Sequence, residues 1–324
     1  MEKHPSMNKV LETTKFVVDD SVNVTINQNK IAEFVKNFRH GNLLHWLSAS
    51  PIPYLHLSDE DMLNFLLVFN STSFCYWGNP KWTVQYKGKE YDGSWAMVAT
   101  IMRAIDESKP ILDSKYRASI SKEDYQRILR GNVEIPLLNE RWGITKAIAS
   151  VLVEKYNGSF GEFVKNASGN AHELLEMTTN QLAAFEDITS YQGKTIYFYK
   201  RAQLLIEDIH QVFAGKKYGR LIGLDDFTAC ADYKLPQSLR KLGIFSYSKS
   251  LEEKIDNLIQ LPHGSPEEVE IRANTIWAVE FIKQELQKTG EKVSSMSISD
   301  HLWLMGQKKS SDDKPYHRTL TTAY

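Results

Sequence analysis

Five times along the chain a serine or asparagine is followed within three residues by an acidic side chain and then by an apolar run. This punctuation constrains the fold more than any other feature. Ser58-Asp59-Glu60-Asp61 precedes the run Met62 to Phe69, and Ser121-Lys122-Glu123-Asp124 precedes Tyr125 to Leu129, with Gly131 just beyond. In such boxes the small polar side chain accepts from a backbone N–H of the first turn, and the acids sit at the positive end of the helix dipole. Asn170 to Glu173 and Ser250 to Glu253 repeat the pattern, and Ser265-Pro266-Glu267-Glu268 adds a proline at the first position of a helix that runs toward Gly290. A chain with so many helix starts is predicted to be mainly α.

One stretch breaks the pattern. Trp82-Thr83-Val84-Gln85-Tyr86 and Glu90-Tyr91, rich in β-formers, flank Lys87-Gly88-Lys89, which predicts a small β-hairpin insertion. Neither a repeat of 20 to 50 residues nor a Pro/Gly/Ser linker is visible, so one domain is expected over residues 16–324, behind a disordered N-terminal tail at 1–15. The polar segment Lys308 to Lys314 reads as a surface loop.

Charge and cysteine content narrow the function classes. Lysine plus arginine (39) balance aspartate plus glutamate (40), so no global field would hold a polyanion against physiological salt, and no duplex nucleic acid partner is expected. Cys75 and Cys230 lack CxxC spacing, which argues against a disulfide framework or a cysteine-rich zinc site and for a reducing compartment. The first residues lack the apolar segment of a signal peptide, and no run reaches about 18 apolar residues, so neither secretion nor a membrane partner is expected and the location reads as cytoplasmic. Phosphate-loop, dinucleotide, HExxH and GxSxG motifs are missing, and no metal or cofactor is expected.

Four constellations could carry chemistry. In Leu221 to Ile244, apolar residues at 235, 239 and 242 mark a helix with Pro236 at its start and Gly243 at its stop, so Asp232 sits just ahead of a helix N-terminus. The dipole there favours its anion while Phe227, Ala229, Cys230 and Tyr233 make the surroundings dry, the setting of a carboxylate that could stabilise a cationic sugar or orient water. The same position is also that of a plain helix cap. In Tyr197 to Gln203, Lys200 lies between Ile196 and Leu204, so its ammonium could be partly enclosed and suited, with Arg201, to a phosphate monoester. Glu207 and Gln211 continue that line, which fits a snorkelling lysine equally well. The aromatic turn Phe74 to Trp77, followed by Tyr91 to Trp95, could sandwich a base or merely wedge a loop into the core. Asp300, ahead of Leu302-Trp303, could be a half-buried acid for a cationic ligand or a cap of the last helix. His45, among Leu43, Leu44, Trp46 and Leu47, has the setting of a satisfied core histidine.

Taken in order, six runs resemble the queuosine salvage family of queuosine 5′-phosphate N-glycosylase/hydrolase proteins: Ser73-Phe74-Cys75-Tyr76-Trp77; Tyr86-Lys87-Gly88-Lys89-Glu90-Tyr91; Phe198-Tyr199-Lys200-Arg201-Ala202-Gln203; Ala231-Asp232-Tyr233 with Leu235-Pro236-Gln237; Val269-Glu270-Ile271-Arg272; and Pro315-Tyr316-His317-Arg318. They span roughly residue 40 to the C-terminus. The resemblance implies a single helical domain similar to helix-hairpin-helix DNA glycosylases, and an aspartate ahead of a helix that assists cleavage of a base–sugar bond. It further implies hydrolysis of queuosine 5′-monophosphate to queuine and ribose 5-phosphate, for reuse of the base in transfer RNA modification. On this reading Asp232 is catalytic and Lys200 meets the 5′-phosphate. Cys230, Tyr233, Phe74 and Trp77 wall the deazaguanine, Asp300 pairs with the side-chain amine, and His45 bonds a hydroxyl or base edge. Where the family has an acid shortly after the Leu-Trp pair, this chain has Leu304 and Met305, which leaves the amine to Asp300. Two alternatives of other classes stand beside this: a nucleic-acid base glycosylase of the helix-hairpin-helix type, and a non-catalytic binder of queuine or nucleotide.

Overall fold

The computed structural model describes residues 5–38, 43–53, 57–308 and 310–324. In chain order these form α1 (Pro5–Asp19), β1 (Val24–Ile26), α2 (Gln28–Asn37), a 3-10 turn at Trp46–Ala49, α3 (Asp59–Thr72), β2 (Thr83–Tyr86), β3 (Lys89–Asp92), α4 (Gly93–Asp106), α5 (Ser114–Ser119), α6 (Lys122–Ile128) and α7 (Leu138–Tyr156). There follow α8 (Phe160–Asn166), α9 (Ala171–Gln181), β4 (Ile188–Tyr191), β5 (Lys194–Tyr197), α10 (Lys200–Val212), α11 (Lys234–Lys241), β6 (Phe245–Tyr247), α12 (Lys249–Asp256), α13 (Pro266–Lys288) and α14 (Ser295–Gln307). The protein is mainly helical.

The caps work as the side chains dictate. Ser58 accepts from the Asp61 N–H, Ser121 from Asp124, Asn170 from His172 and Glu173, and Ser265 from Glu268 with Pro266 in the first turn. Three helices start elsewhere than predicted, α11 among them, which begins at Lys234 rather than at Pro236. The cap of α12 is Ser248 rather than Ser250. The cap of α14 is Ser294, in a reciprocal box with Ser297, which puts Asp300 inside the helix and excludes the capping role considered for it. Residues 1–15, read as a tail, contribute α1 from Pro5 onward; Val10, Thr14 and Val17 have no exposure, and the helix packs along α13. Its apolar face is what holds it, a tertiary cause that short-range polarity conceals.

The predicted hairpin is present as β2–β3, turned by Lys87 and Gly88, both at positive φ. A second hairpin, β4–β5, turns on Gln192 and Gly193 in the same way, and β1 pairs antiparallel with β6 across more than two hundred residues. All three ribbons are two-stranded.

Helix α3 is buried from Met62 to Thr72 and anchors one hydrophobic core, in which Leu63, Phe65, Leu66 and Leu67 have no exposure. Each such side chain contributes roughly 1.5–3 kcal/mol. A second core joins α2, α11, α13 and α14 through Ile31, Leu235, Leu239, Ile271 and Leu302. The segment between Phe227 and Leu235 crosses from one core to the other, Cys230 and Ala231 packing in the first and Ala229 and Leu235 in the second. Among the described residues no helix is long and apolar enough to cross a membrane.

Candidate active site

The crossing segment delivers Asp232 to the head of α11. Its Oδ1 accepts from the backbone N–H groups of Lys234 (2.8 Å) and Leu235 (2.9 Å), and the helix begins at Lys234 rather than at Pro236. Oδ2 has no hydrogen-bond donor among the described residues. Burial pushes the Asp232 carboxyl up from its ordinary range, while the nearby Lys200 charge and the two backbone N–H groups pull it back. The carboxylate is both a cap and a group with a free oxygen, because one oxygen is enough to cap.

Lys200 arrives from the other core. Tyr199, at φ 52°, turns the chain out of β5, and the Lys200 N–H donates to Asp187 Oδ2 (3.1 Å), so that α10 starts at Lys200. The side chain is 6% exposed, and its ammonium has no hydrogen-bond acceptor among the described residues. It is enclosed, as its flanking residues suggested. Arg201 is not available to a ligand: its guanidinium donates to the carbonyls of Asn70, Ser71 and Ala184 and lies against the rings of Phe74 and Phe185.

Lys200 and Asp232 stand at the junction of two adjoining compartments, whose walls they share with Ser73, Ser94 and Trp303. The inner compartment is walled by Trp46, Phe69, Leu204, Cys230 and Leu235, with Asp300 at one side. Trp46 stacks on Phe69 at 4.8 Å, and Trp46, Trp95 and Trp303 meet edge to face or tilted at 5.4–5.8 Å, which fixes flat π-faces around the space. Burial pushes the Cys230 thiol up, which keeps it neutral and makes it wall rather than nucleophile. The outer compartment is more polar and includes Lys81, Asp92, Tyr233 and Lys234.

Acidic groups cluster at the inner end. Asp300 accepts from the Trp46 N–H (3.3 Å); burial pushes its carboxyl up to about 7, with Asp208 and Glu207 adding to the effect and His45 opposing it. Asp208 is fully buried and accepts from His45 Nε2 (3.0 Å, with the ring proton on that nitrogen), Trp46 Nε1 (2.7 Å) and Asn70 Nδ2 (2.8 Å). Burial works against a charge on His45, but the hydrogen bond to Asp208 and the surrounding carboxylates outweigh it and raise its pKa. Three carboxyl groups and the His45 imidazole thus gather at this end of the cavity.

Of the residues singled out from sequence, Lys200, Cys230, Asp232 and Asp300 line the inner space, and Phe74 and Tyr233 line the outer one. Tyr233 lies on Tyr316 at 4.7 Å. His45 lines neither compartment and stands behind the wall on Asp208. Trp77 lines neither; it packs with Phe74 and Cys75 and donates Nε1 to the Thr319 carbonyl. Sequence reasoning missed Asp208, Lys81, Lys234 and the wall role of Trp46. Asp208 had a signal, since positions 200, 204 and 208 share one helical face. The lysines had none, because Lys81 and Lys234 are distant in sequence and come to line one compartment only in the folded chain.

Known proteins are similar to this chain along most of its length. The family model described as queuosine salvage protein matches residues 54–324. The queuosine 5′-phosphate N-glycosylase/hydrolase of Sphaerobacter thermophilus is 38% identical over 319 residues, covering 97% of each chain. Proteins of the same name from Bos taurus (32% identical, 97% of this chain and 98% of the relative) and Schizosaccharomyces pombe (29%, 92% and 91%) are similar along comparable lengths.

Proposed function

We propose, from the premise that the chain belongs to the queuosine salvage protein family, that it is an N-glycosyl hydrolase that cleaves queuosine 5′-monophosphate into queuine and ribose 5-phosphate. The observation that carries the reading is the cavity in two compartments with Asp232, one oxygen uncommitted, at their junction.

The substrate divides as the cavity does. The deazaguanine plane enters the inner compartment between Trp46, Phe69 and Cys230, and its cyclopentenediol-bearing amine, protonated near neutral pH, meets Asp300 with Asp208 and His45 behind it. The glycosidic bond then lies at the junction. It breaks with its electron pair leaving on the base nitrogen, positive charge grows on the ribose, and the anionic Asp232 stabilises that charge and orients the water that adds to C1′. The water's hydroxyl ends on the ribose and its proton balances the base. Lys200, beside Asp232 and facing both compartments, keeps the carboxylate ionised and offers a cation toward the sugar phosphate. An organisation like that of helix-hairpin-helix DNA glycosylases is part of the same reading, supported by an aspartate that caps a helix beside the cavity. A net charge of −1 supports a small nucleotide rather than a duplex as substrate.

The test is to incubate the protein separately with queuosine 5′-monophosphate and with damaged DNA duplexes, and to follow released base by liquid chromatography. Queuine and ribose 5-phosphate in equal amounts are expected from the nucleotide alone. Base release confined to duplexes, or binding without release, would overturn the assignment.

A further inference from the structure

The wall shared by the two compartments carries a hydroxyl with an unspent proton. Ser73 follows the last turn of α3, is 7% exposed, and lines both spaces beside Lys200 and Asp232. Its Oγ accepts from the Tyr76 hydroxyl at 3.1 Å, and its own proton has no acceptor among the described residues. Two other donors of the inner wall are spent, Ser299 on the Ser295 carbonyl and Trp46 Nε1 on Asp208. Ser94, the second hydroxyl at the junction, is only half-buried, and its side chain has no polar partner behind it among the described residues.

A buried charge stands behind Ser73. The Tyr76 ring stacks on Trp82 and lies 5.2 Å from the Arg141 guanidinium; burial pushes its phenol up, and the Arg141 charge pulls it back. Arg141 is fully buried, and its acceptors are all carbonyls: Pro136 at 2.9 Å, Cys75 at 3.1 Å, Thr72 and Phe74. No carboxylate accepts from it among the described residues, so its field acts on the hydroxyls beside it. In a chain of hydrogen bonds each polarised donor strengthens the next, and this chain ends on the Ser73 proton. The backbone here is fixed as well. Arg201 holds the carbonyls of Asn70 and Ser71, and Cys75, at φ 41°, donates its N–H to the Tyr324 carbonyl at 2.9 Å. A left-handed residue other than glycine persists where its surroundings over-determine it, which is common beside reacting groups.

The reaction has a use for such a donor. A deazapurine lacks the imidazole nitrogen on which a departing purine can be protonated, so help must reach the base at another edge. We propose that Ser73 is a catalytic residue that donates a hydrogen bond to the sugar-side edge of the departing base, with Tyr76 and Arg141 as positioning residues behind it. The assignment rests on the hydrolase reading above, with the base inward. As the bond from C1′ breaks, its electron pair stays on the glycosidic nitrogen and spreads to the adjacent pyrimidine-ring nitrogen. Ser73 meets that second nitrogen and keeps its own proton, while the proton lost by the adding water neutralises the base. Asp232 and Ser73 thus divide the work, one facing the positive sugar and the other the negative base.

The experiment compares wild type with Ser73→Ala, Ser73→Thr and Tyr76→Phe, each checked for folding by thermal melting. Three quantities are measured: kcat and KM for queuosine 5′-monophosphate, and the Kd of queuine by calorimetry, which needs no turnover. Ser73→Ala is expected to lower kcat roughly 10²-fold, the worth of one donor aimed at developing charge. KM and Kd should stay within threefold of wild type, because the charge exists only while the bond is breaking. Ser73→Thr, which keeps the hydroxyl, should restore most of kcat. Tyr76→Phe should lower kcat about threefold to tenfold, the worth of one hydrogen bond, again without moving KM. A kcat within threefold of wild type in Ser73→Ala overturns the role while queuine release by wild type keeps the hydrolase reading intact. A loss confined to KM and Kd also overturns it, since Ser73 would then be a contact of the ground state. No queuine release by wild type would overturn the hydrolase reading and this role together.

Discussion

Two buried cation–carboxylate pairs adjoin one another through backbone contacts, and they are built in opposite ways. Arg272 and Asp187 are closed: Nη1 and Nη2 donate to the two carboxylate oxygens at 2.9 and 2.6 Å, Nε donates to the Ala231 carbonyl at 3.3 Å, and the guanidinium lies against the rings of Phe198 and Tyr324. Lys200 and Asp232 are open: no hydrogen bond joins them, and both face the cavity. The closed pair supports the open one, because Asp187 also receives the Lys200 N–H and Arg272 holds the carbonyl next to Asp232. A buried charge satisfied on every side sets geometry, whereas one left with spare valence is available to a ligand.

Breaking the closed pair should have the largest effect. Arg272→Met leaves Asp187 buried without its partner and is expected to lower unfolding free energy by about 3–5 kcal/mol, measured by urea denaturation. A loss below about 1 kcal/mol would mean that the pair is not what fixes the two backbone segments.

Asp232→Asn sharpens the other side. The asparagine oxygen can still accept from Lys234 and Leu235, so stability should change by less than about 1 kcal/mol, while turnover of queuosine 5′-monophosphate falls roughly 10²–10³-fold with the lost charge. Wild-type turnover in this variant would reduce Asp232 to a cap.

The smallest effect concerns Asp300, whose pKa in the folded protein, about 7, lies above that of an unfolded aspartate, about 3.9. The stability this group contributes is fully present below pH 4 and is lost as pH rises to about 7, where the buried carboxyl ionises. Asp300→Asn, which cannot ionise, should therefore gain on wild type as pH is raised from 5 to 8, by on the order of 2 kcal/mol in the unliganded protein. A difference independent of pH in thermal melts would show that Asp300 is already ionised at pH 5.

The limits of sequence reasoning followed distance along the chain. Caps at Ser58, Ser121, Asn170 and Ser265 and the hairpin about Gly88 depend on neighbours within four residues, and all were legible. The Gln192-Gly193 turn of β4–β5 carried the same kind of signal and was overlooked. The β1–β6 ribbon could not be read, since three-residue strands so far apart leave no local pattern. Asp232 ahead of a helix, Lys200 between apolar flanks and Asp300 beside Leu302-Trp303 were found as separate candidates. Trp77, chosen with Phe74 for its aromatic ring, fell outside the pocket because a short loop can turn only some of its side chains inward.

Sequence alone thus determined that the chain is helical, which family it resembles and which carboxylate stands at a helix head, since all of these are written in residue order and local spacing. Tertiary structure decided that Asp232 keeps one oxygen free while capping with the other, that His45 serves Asp208 rather than the cavity, and that Lys81 and Lys234 face a common space. Those outcomes depend on where two hydrophobic cores meet. The meeting is set by packing summed over the whole chain, and no local window contains it.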